Sequence, residues 1–544
     1  MTFRVLVTDE IDPEGVALLA AAPGIAVEEV PTLPKDELLR RIGEYDAIIG
    51  RSATHVSDEL LRAATHLKVV GRAGVGIDNI AVDTATELGI AVINAPAGNT
   101  IAVAELFFGT VIGLLRHLPR AYESMHAGTW DRSTLLGTEL NGRTLGIVGL
   151  GRIGSEVSAR ARAFGMKVVA YDPYISESRF QALHVRRAES LDDLLDETDI
   201  LTVHTPLTED TRGMIGQREL NRLSPDAIVV NMARGGIVGE DALAEALNSG
   251  CLAGGAIDVF VKEPLAPDHP LRSTRNLFLT PHIGASTAEA QRNVAVDACA
   301  AVRDALVLGE LSRSINVATG EPGRWTELSP VRTLVRRAAA IGRAVLASQS
   351  GTAVGRIEVR GGPSVAGSRD ALVTSAALGA LDAVVEHDRL NMINARTMAE
   401  ERGIELSFTE TSDNERPGAY ALEVRLTGGM KGITVGGVAQ GTYNGGTDGG
   451  CRITRIGEFM VDVCPRETLL ILTNRDVPGV IGRVGTVLGD AGVNIAEYHQ
   501  ARLAQGGEAL AAVSVDGALG SDLKRQLLAL NEVSSATVIT FRGS

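Results

Sequence analysis

Three side chains far apart in the chain have the types that a reversible alcohol–ketone conversion needs. Arg234, in Asn231-Met-Ala-Arg234-Gly-Gly236, offers a planar cationic fork for a carboxylate. His282, in Thr280-Pro-His282-Ile-Gly-Ala-Ser-Thr287, can take or give a proton near neutral pH. Glu263, in Asp258-Val-Phe-Val-Lys-Glu263-Pro264, can set the tautomer of an adjacent imidazole and favour its charged form. Oxidising a 2-hydroxy acid, or reducing a 2-keto acid, requires all three functions in one place. Each residue also has a plain structural reading alone. His282 is one of ten histidines, Glu263 reads as surface charge, and Arg234 as a helix cap.

A second set names a cofactor. Gly149-Leu-Gly151-Arg-Ile-Gly154 follows the apolar run Thr144–Val148 and opens a helical stretch to about Phe164. A further apolar run ends at Asp172, 18 residues past Gly154. This is the dinucleotide fingerprint in its required strand–turn–helix setting. Gly149 makes the tight turn, Gly151 admits the pyrophosphate to the backbone, and Gly154 lets the helix close on the strand. The helix N-terminus favours negative charge. A carboxylate at Asp172 accepts from the adenosine ribose and repels a 2′-phosphate, so NAD is expected rather than NADP.

These residues need strands that end at one edge. Up to about residue 315, short apolar runs alternate with helical segments: Phe3–Asp9, Ala47–Ile49, Lys68–Gly71, Thr144–Gly149, Lys167–Tyr171, Ile200–His204, Ile228–Asn231 and Gly255–Val259. Buried strands alternating with helices indicate parallel sheets in a doubly wound α/β arrangement. At 544 residues the chain is too long for one core. A net charge of −15 argues against nucleic-acid binding, while an anionic substrate needs only a local basic pocket. Four scattered cysteines (Cys251, Cys299, Cys451, Cys464) give no CxxC pair, so neither a zinc module nor a disulfide framework is expected, and no metal site. The N-terminus lacks the apolar core of a signal peptide, and no apolar run is long enough to span a membrane. The expectation is a cytoplasmic protein.

The segments around Arg234, Glu263 and His282 resemble the three signatures of the D-isomer-specific 2-hydroxyacid dehydrogenases, whose matching Arg, Glu and His are catalytic. The likeness spans residues 1–318. It implies cofactor contacts at Gly149, Gly151, Arg152, Ile153, Gly154, Asp172, Thr205, Met232, Ala233, Arg234, Asp258, His282, Gly284 and Ala285. Val203-His-Thr-Pro-Leu207 also matches, with His204 read as structural. Arg51-Ser-Ala-Thr54, Gly71-Arg-Ala-Gly-Val-Gly-Ile-Asp-Asn79 and Asn94-Ala-Pro-Ala-Gly-Asn99 are similar to the substrate loops of the family's phosphoglycerate-oxidising branch. That implies 3-phosphoglycerate as substrate, with contacts from Arg51, Ser52, Gly74, Val75, Asn99, Arg234 and His282. Arg51 suits the phosphate, and the glycine loop can offer N–H groups to a carboxylate. Arg132 is a candidate cation from a neighbouring subunit, and His55 stands where some relatives carry lysine.

The chain beyond residue 318 changes character. Glu321–Trp325 reads as a linker, Pro330–Ser350 as an amphipathic helix, and Arg356–Arg360 and Ala421–Leu426 as strands. Gly428–Gly450 is glycine-rich, as a twisted hairpin region or a loop would be. Residues 466–544 read βαββαβ, a ferredoxin-like order, and Asn474-Arg-Asp-Val-Pro-Gly479 with Gly492-Val-Asn-Ile-Ala496 resembles an ACT domain. The resemblance implies an L-serine effector held by Asn474, Asp476 and Asn494, and a homo-oligomer (dimer or tetramer), because such sites lie between subunits. In the middle region only Arg452 and Arg455 stand out as basic candidates. The expected architecture is α/β: two Rossmann-like lobes, for substrate (1–97, completed by 293–318) and NAD (98–292), an intervening α+β domain (319–463), and a C-terminal ferredoxin-like ACT domain (464–544). The expected reaction is NAD-dependent oxidation of 3-phosphoglycerate to 3-phosphohydroxypyruvate, the entry to L-serine synthesis, under serine control. Two other readings stay open: a glyoxylate- or lactate-type dehydrogenase, and an NAD-sensing corepressor-like protein.

Overall fold

A computed structural model describes residues 2–317, 324–325, 327–350, 353–382, 390–412, 419–440 and 450–541. Residues 321–323 of the linker read at Glu321–Trp325 and residues 441–449 of the glycine-rich run lie outside the described residues.

Two all-parallel sheets make up the first 317 residues. The first has five strands in the spatial order Ile25–Glu29, Phe3–Val7, Ala47–Gly50, Val69–Arg72 and Ala91–Asn94. The second has seven, in the order Leu277–Leu279, Gly254–Ile257, Ile228–Asn231, Ile200–Val203, Thr144–Val148, Lys167–Tyr171 and Arg186–Arg187. Their central strands are buried on both faces, which is why they read as unbroken Val/Ile/Leu runs rather than alternating ones. Helix Thr100–Leu115 carries the chain into the second lobe, with Phe107, Phe108 and Val111 in its core. Helix Ala288–Leu308 returns it, laying Val294, Ala298 and Val302 against Val5, Val7 and Ile49 of the first sheet. Because all strands of a parallel sheet point one way, their C-terminal loops gather along one edge, where α/β ligands bind.

The remainder is built on two further sheets. One has six strands, in the order Glu405–Glu410, Arg356–Gly361, Ala419–Gly428, Lys431–Gln440, Cys451–Ile456 and Phe459–Val463. Helices Ser329–Ser350 and Arg369–Leu381 pack with it. The last is an antiparallel four-stranded sheet ordered Ile495–Arg502, Glu508–Val515, Thr468–Arg475 and Val533–Thr540, with helices Val480–Asp490 and Ser521–Leu528.

Both faces of this last sheet are buried. Leu470, Leu472 and Val513 pack under its own helices, whereas Leu469, Ile471, Leu510 and Ile539 join the core of the six-stranded unit. Trp325, Ala371 and Ile393 are likewise inserted in the core of the first lobe, and Asn391 and Asn394 donate to the carbonyls of Gly89 and Glu87 there. The middle unit is therefore packed onto the first lobe, and the last sheet onto the middle unit. Ile25–Glu29 and Ala91–Asn94 were not anticipated as strands, the first being a half-exposed edge without a continuous apolar run.

Candidate active site

His282 and Glu263 meet at the C-terminal edge of the seven-stranded sheet. The imidazole Nδ1 lies 2.7 Å from Glu263 Oε2, and Glu263 Oε1 accepts the amide of Phe260 at 3.0 Å. With Nδ1 committed to the carboxylate, Nε2 is the nitrogen left for a substrate oxygen. The backbone of His282 sits at φ +54, a left-handed conformation that non-glycine residues rarely adopt. What holds it there is Asp258, a buried carboxylate accepting from Thr280 Oγ1 (2.6 Å), Ile283 N (2.8 Å) and Gly284 N (2.8 Å). Charge-assisted bonds of this kind can maintain a strained turn at a working site. Asp258, named from sequence for the cofactor, thus has three contacts with the histidine loop.

Arg234 is delivered by a neighbouring turn. Asn231 closes it, its Nδ2 donating to the Arg234 carbonyl (2.8 Å) and its Oδ1 accepting from Ala233 N (3.1 Å). The turn packs so closely on the Glu263 loop that a Cβ on Gly235 would stand 2.0 Å from the Phe260 carbonyl, so only glycine fits. From there the guanidinium crosses to the first lobe, where its Nε donates to Asp78 Oδ2 at 3.1 Å. A cleft of about 600 Å³ opens between Ser52 and Ala53 of the first lobe and Phe260, Glu263, Pro264 and His282 of the second.

The first-lobe candidates are held by groups the sequence reading passed over. Asp9 accepts from the amides of Arg51 (2.7 Å) and Thr54 (2.9 Å) and from the Thr54 hydroxyl (2.7 Å), fixing the Arg51–Thr54 loop. Asn79 donates to the carbonyls of Arg51 and Thr54 and accepts from Arg72 Nε at 3.1 Å. Arg72 is the missed cation. Burial above all, then Arg234 and Arg51, pull its guanidinium down to about 10, against the opposing pull of Asp78 and Asp9. It lies in the Gly71–Asn79 segment, and its place at the C-terminal end of an apolar run is the sequence signal for it. Gly74 turns its N–H inward to the Arg72 carbonyl, and Val75 holds Asn94 through its own carbonyl. Asn99 precedes helix Thr100–Leu115, its Oδ1 buried without a hydrogen-bond partner among the described residues. Arg132 and His55 are both exposed.

The glycine turn fits a dinucleotide. Gly149 has φ +90, and a Cβ there would sit 2.7 Å from the His204 carbonyl. At Gly151 nothing lies within 4 Å, leaving room for a ligand against the backbone. The first N–H groups of helix Arg152–Ala163 lack intrahelical acceptors, as at any helix start. Asp172 accepts from Leu150 N (2.9 Å) and Tyr174 N (3.0 Å), which aims its carboxylate beside the turn. Thr205 Oγ1 is buried and without a partner among the described residues, as a group awaiting a ligand would be. His204 is structural in character, for burial pushes its imidazole down to about 4 and keeps it neutral. Met232 is buried in the sheet core, so only its backbone can face a ligand. Ile153 and Ala233 are partly buried, and Ala285 accepts from Gln291 Nε2. Among the described residues no His/Cys/Asp/Glu group could hold a metal ion.

The tail candidates do not meet within one chain. Asn474 pairs with Ala509 and Arg502 also pairs with Ala509, whereas Ile495, next to Asn494, pairs with Val515. Six residues of strand, roughly 20 Å, separate the two ends. Asp476 accepts from Arg502 (3.1 Å) and Gly506 N (3.2 Å), the amide first and the guanidinium second holding its carboxyl below the usual range. Asn494 donates to Asp516 at 2.6 Å. Asn474 is buried, with its Oδ1 unpartnered among the described residues. In the middle unit, Arg452 pairs with Asp462 and Glu497, and Arg455 with Glu423.

Residues 108–284 match the description "D-isomer specific 2-hydroxyacid dehydrogenase, NAD binding domain". Two relatives named D-3-phosphoglycerate dehydrogenase run nearly the whole chain. One, from Synechocystis sp., is 38% identical over 98% of this chain and 94% of its own. The other, from Bacillus subtilis, is 37% identical over 99% of both. Among solved structures, a D-lactate dehydrogenase from Aquifex aeolicus, complexed with NAD and lactic acid, is 30% identical with a TM-score of 0.50, covering 57% of this chain and 97% of its own.

Proposed function

The chain belongs to the D-3-phosphoglycerate dehydrogenases, a branch of the D-isomer-specific 2-hydroxyacid dehydrogenases, and from that premise we infer that it oxidises 3-phosphoglycerate to 3-phosphohydroxypyruvate with NAD, the first step of L-serine synthesis. The observation that carries the reading is the His282–Glu263 pair lining a cleft that opens onto the first lobe, to which Arg234 also reaches and where Arg51 and Arg72 lie near it.

In this reading Arg234 holds the substrate carboxylate and orients C2, while His282 takes the C2 hydroxyl proton on Nε2. Glu263 keeps the Nδ1 proton in place and stabilises the imidazolium that forms. The chemistry supplied by NAD when bound is hydride acceptance from C2. Gly149, Gly151, Gly154 and the helix start at Arg152 would hold its pyrophosphate, Asp172 its adenosine ribose, and Thr205 and the loop at Gly284 the rest. Arg51 and Arg72 would hold the phosphate, Ser52, Val75 and Asn99 lining the same pocket. Orientation and electrostatics are the protein's contribution.

The reading includes the boundaries 1–97 with 293–318, 98–292, 319–463 and 464–544, the last as an ACT-type regulatory domain. It also includes a cytoplasmic homo-oligomer inhibited by L-serine. The placement of Asp476 and Asn494 at opposite ends of one sheet supports a serine site shared by two chains. NADH formation measured with 3-phosphoglycerate, glycerate, lactate and glycolate tests the substrate. The phosphorylated acid should lead in kcat/KM, and equal or better turnover of lactate or glycolate would overturn it.

A further inference from the structure

Arg234 is already engaged by an anion that belongs to the protein. Its Nε donates to Asp78 Oδ2 at 3.1 Å, and its Nη1 to its neighbour's backbone, the Ala233 carbonyl, at 2.7 Å. Its Nη2 lies over the Gly76 backbone, so close that a Cβ there would stand 2.2 Å away. Nε and Nη2 form one edge of the planar fork, the edge on which a carboxylate lands with two parallel bonds. Asp78 takes half of that edge.

The surroundings explain why a carboxylate should be there. Arg51, Arg72 and Arg234 are near enough for the first and last to depress Arg72, and Asp78 and Asp9 oppose them. Asp9 cannot respond to a ligand: it is buried and takes donors from Arg51, Thr54 and Thr32. Asp78 differs in every respect. Its side chain is 69% exposed, it sits on the glycine loop, and Arg234 is its ion-pair partner. Three guanidinium groups brought near one another repel when nothing anionic is bound, and an exposed carboxylate beside them relieves that repulsion.

We propose that Asp78 is a resident counter-ion of the substrate pocket: it occupies the substrate-carboxylate edge of Arg234 in the free enzyme and is displaced when substrate binds. It thereby sets the affinity and anion specificity of the site without touching the reacting atoms. Weak, phosphate-free anions cannot evict it as well as a substrate that also engages Arg51 and Arg72. The inference rests on the assignment of Arg234 to the substrate carboxylate.

The test uses the full-length enzyme carrying Asp78→Asn, with Asp78→Ala as a second variant. KM for 3-phosphoglycerate should fall about two- to fivefold, the worth of an exposed ion pair. The Ki of inorganic sulfate as a competitive inhibitor should fall by a similar factor, and both gains should fade at high ionic strength. A Tm deficit at low salt should be recovered by added sulfate. A residue that merely props up Arg234 would behave oppositely, so a raised or unchanged KM in both variants overturns the proposal. Arg234→Lys is the control: if its KM stays at the wild-type value, the assignment of Arg234, and with it the functional reading, is what has failed.

Discussion

The cleft of the first two lobes and the C-terminal sheet both collect polar residues from distant parts of the sequence, with opposite results. In the parallel sheets every strand ends at the same edge, so residues spread from Asp78 to His282 form two close pairs there, Arg234 with Asp78 at 3.1 Å and His282 with Glu263 at 2.7 Å. In the antiparallel tail, strand direction alternates, so loops are dealt to both edges, and Asp476 and Asn494 end up far apart although only 18 positions separate them. A parallel sheet can complete a site in one chain. A small antiparallel sheet deals its loops to two edges and leaves such residues apart within one chain.

The comparison is broken most decisively at His282. His282→Ala should lose on the order of 10²–10⁴-fold in kcat, the usual worth of a positioned acid/base, with NADH binding by fluorescence nearly intact. A loss of cofactor binding instead would mean that the loop, not the imidazole, matters.

Next comes the support beneath it. Asp258→Ala strands the donors of Thr280, Ile283 and Gly284 in a buried site, costing about 2–4 kcal/mol of stability. Calorimetry should show a lower Tm, and kcat should fall because His282 no longer keeps its backbone geometry. Asp258→Asn, which keeps the volume and part of the bonding, should fall between.

The tail is probed by complementation. L-serine inhibition should vanish in Asp476→Ala and in Asn494→Ala while basal turnover remains. Co-refolded mixtures of the two should regain part of the inhibition, since one intact site then forms from two damaged chains. Coupling of this kind amounts to roughly 1–3 kcal/mol. No recovery in the mixture would place the effector contacts within one chain or remove serine altogether. Ending the chain near residue 465 is a harsher probe, because it strips Leu469, Ile471, Leu510 and Ile539 from the core they share with the six-stranded unit.

The smallest effect is one of pH. His204 is neutral when folded and titrates near 6.5 when unfolded, its folded value lying at about 4. The unfolded chain therefore binds the proton first, and stability contributed above pH 6.5 declines as pH falls from there towards 4. Melting curves over that range should flatten in His204→Gln if this histidine is responsible.

What the residues alone determined about this protein were the features set by local chemistry. Gly149 and Gly154 announce a tight turn, a Cβ being excluded by the His204 carbonyl at the first and by the Gly149 carbonyl at the second. The central strands announce themselves as apolar runs because both sheet faces are covered. The segments around Arg234, Glu263 and His282 are legible because each follows an apolar run and carries a residue type that the reaction needs. Some strands stayed hidden: the edge strand Ile25–Glu29 is half exposed, and the interior strand Lys431–Gln440 carries three glycines that read equally as loop. Only the tertiary structure decided that Asn79 ties Arg72 to the Arg51 loop, that Asp78 sits on Arg234, and that the tail's sheet is buried on both faces. Those facts depend on which surfaces face each other across long sequence separations, and a side chain's type carries no record of the neighbour that packing will bring to it.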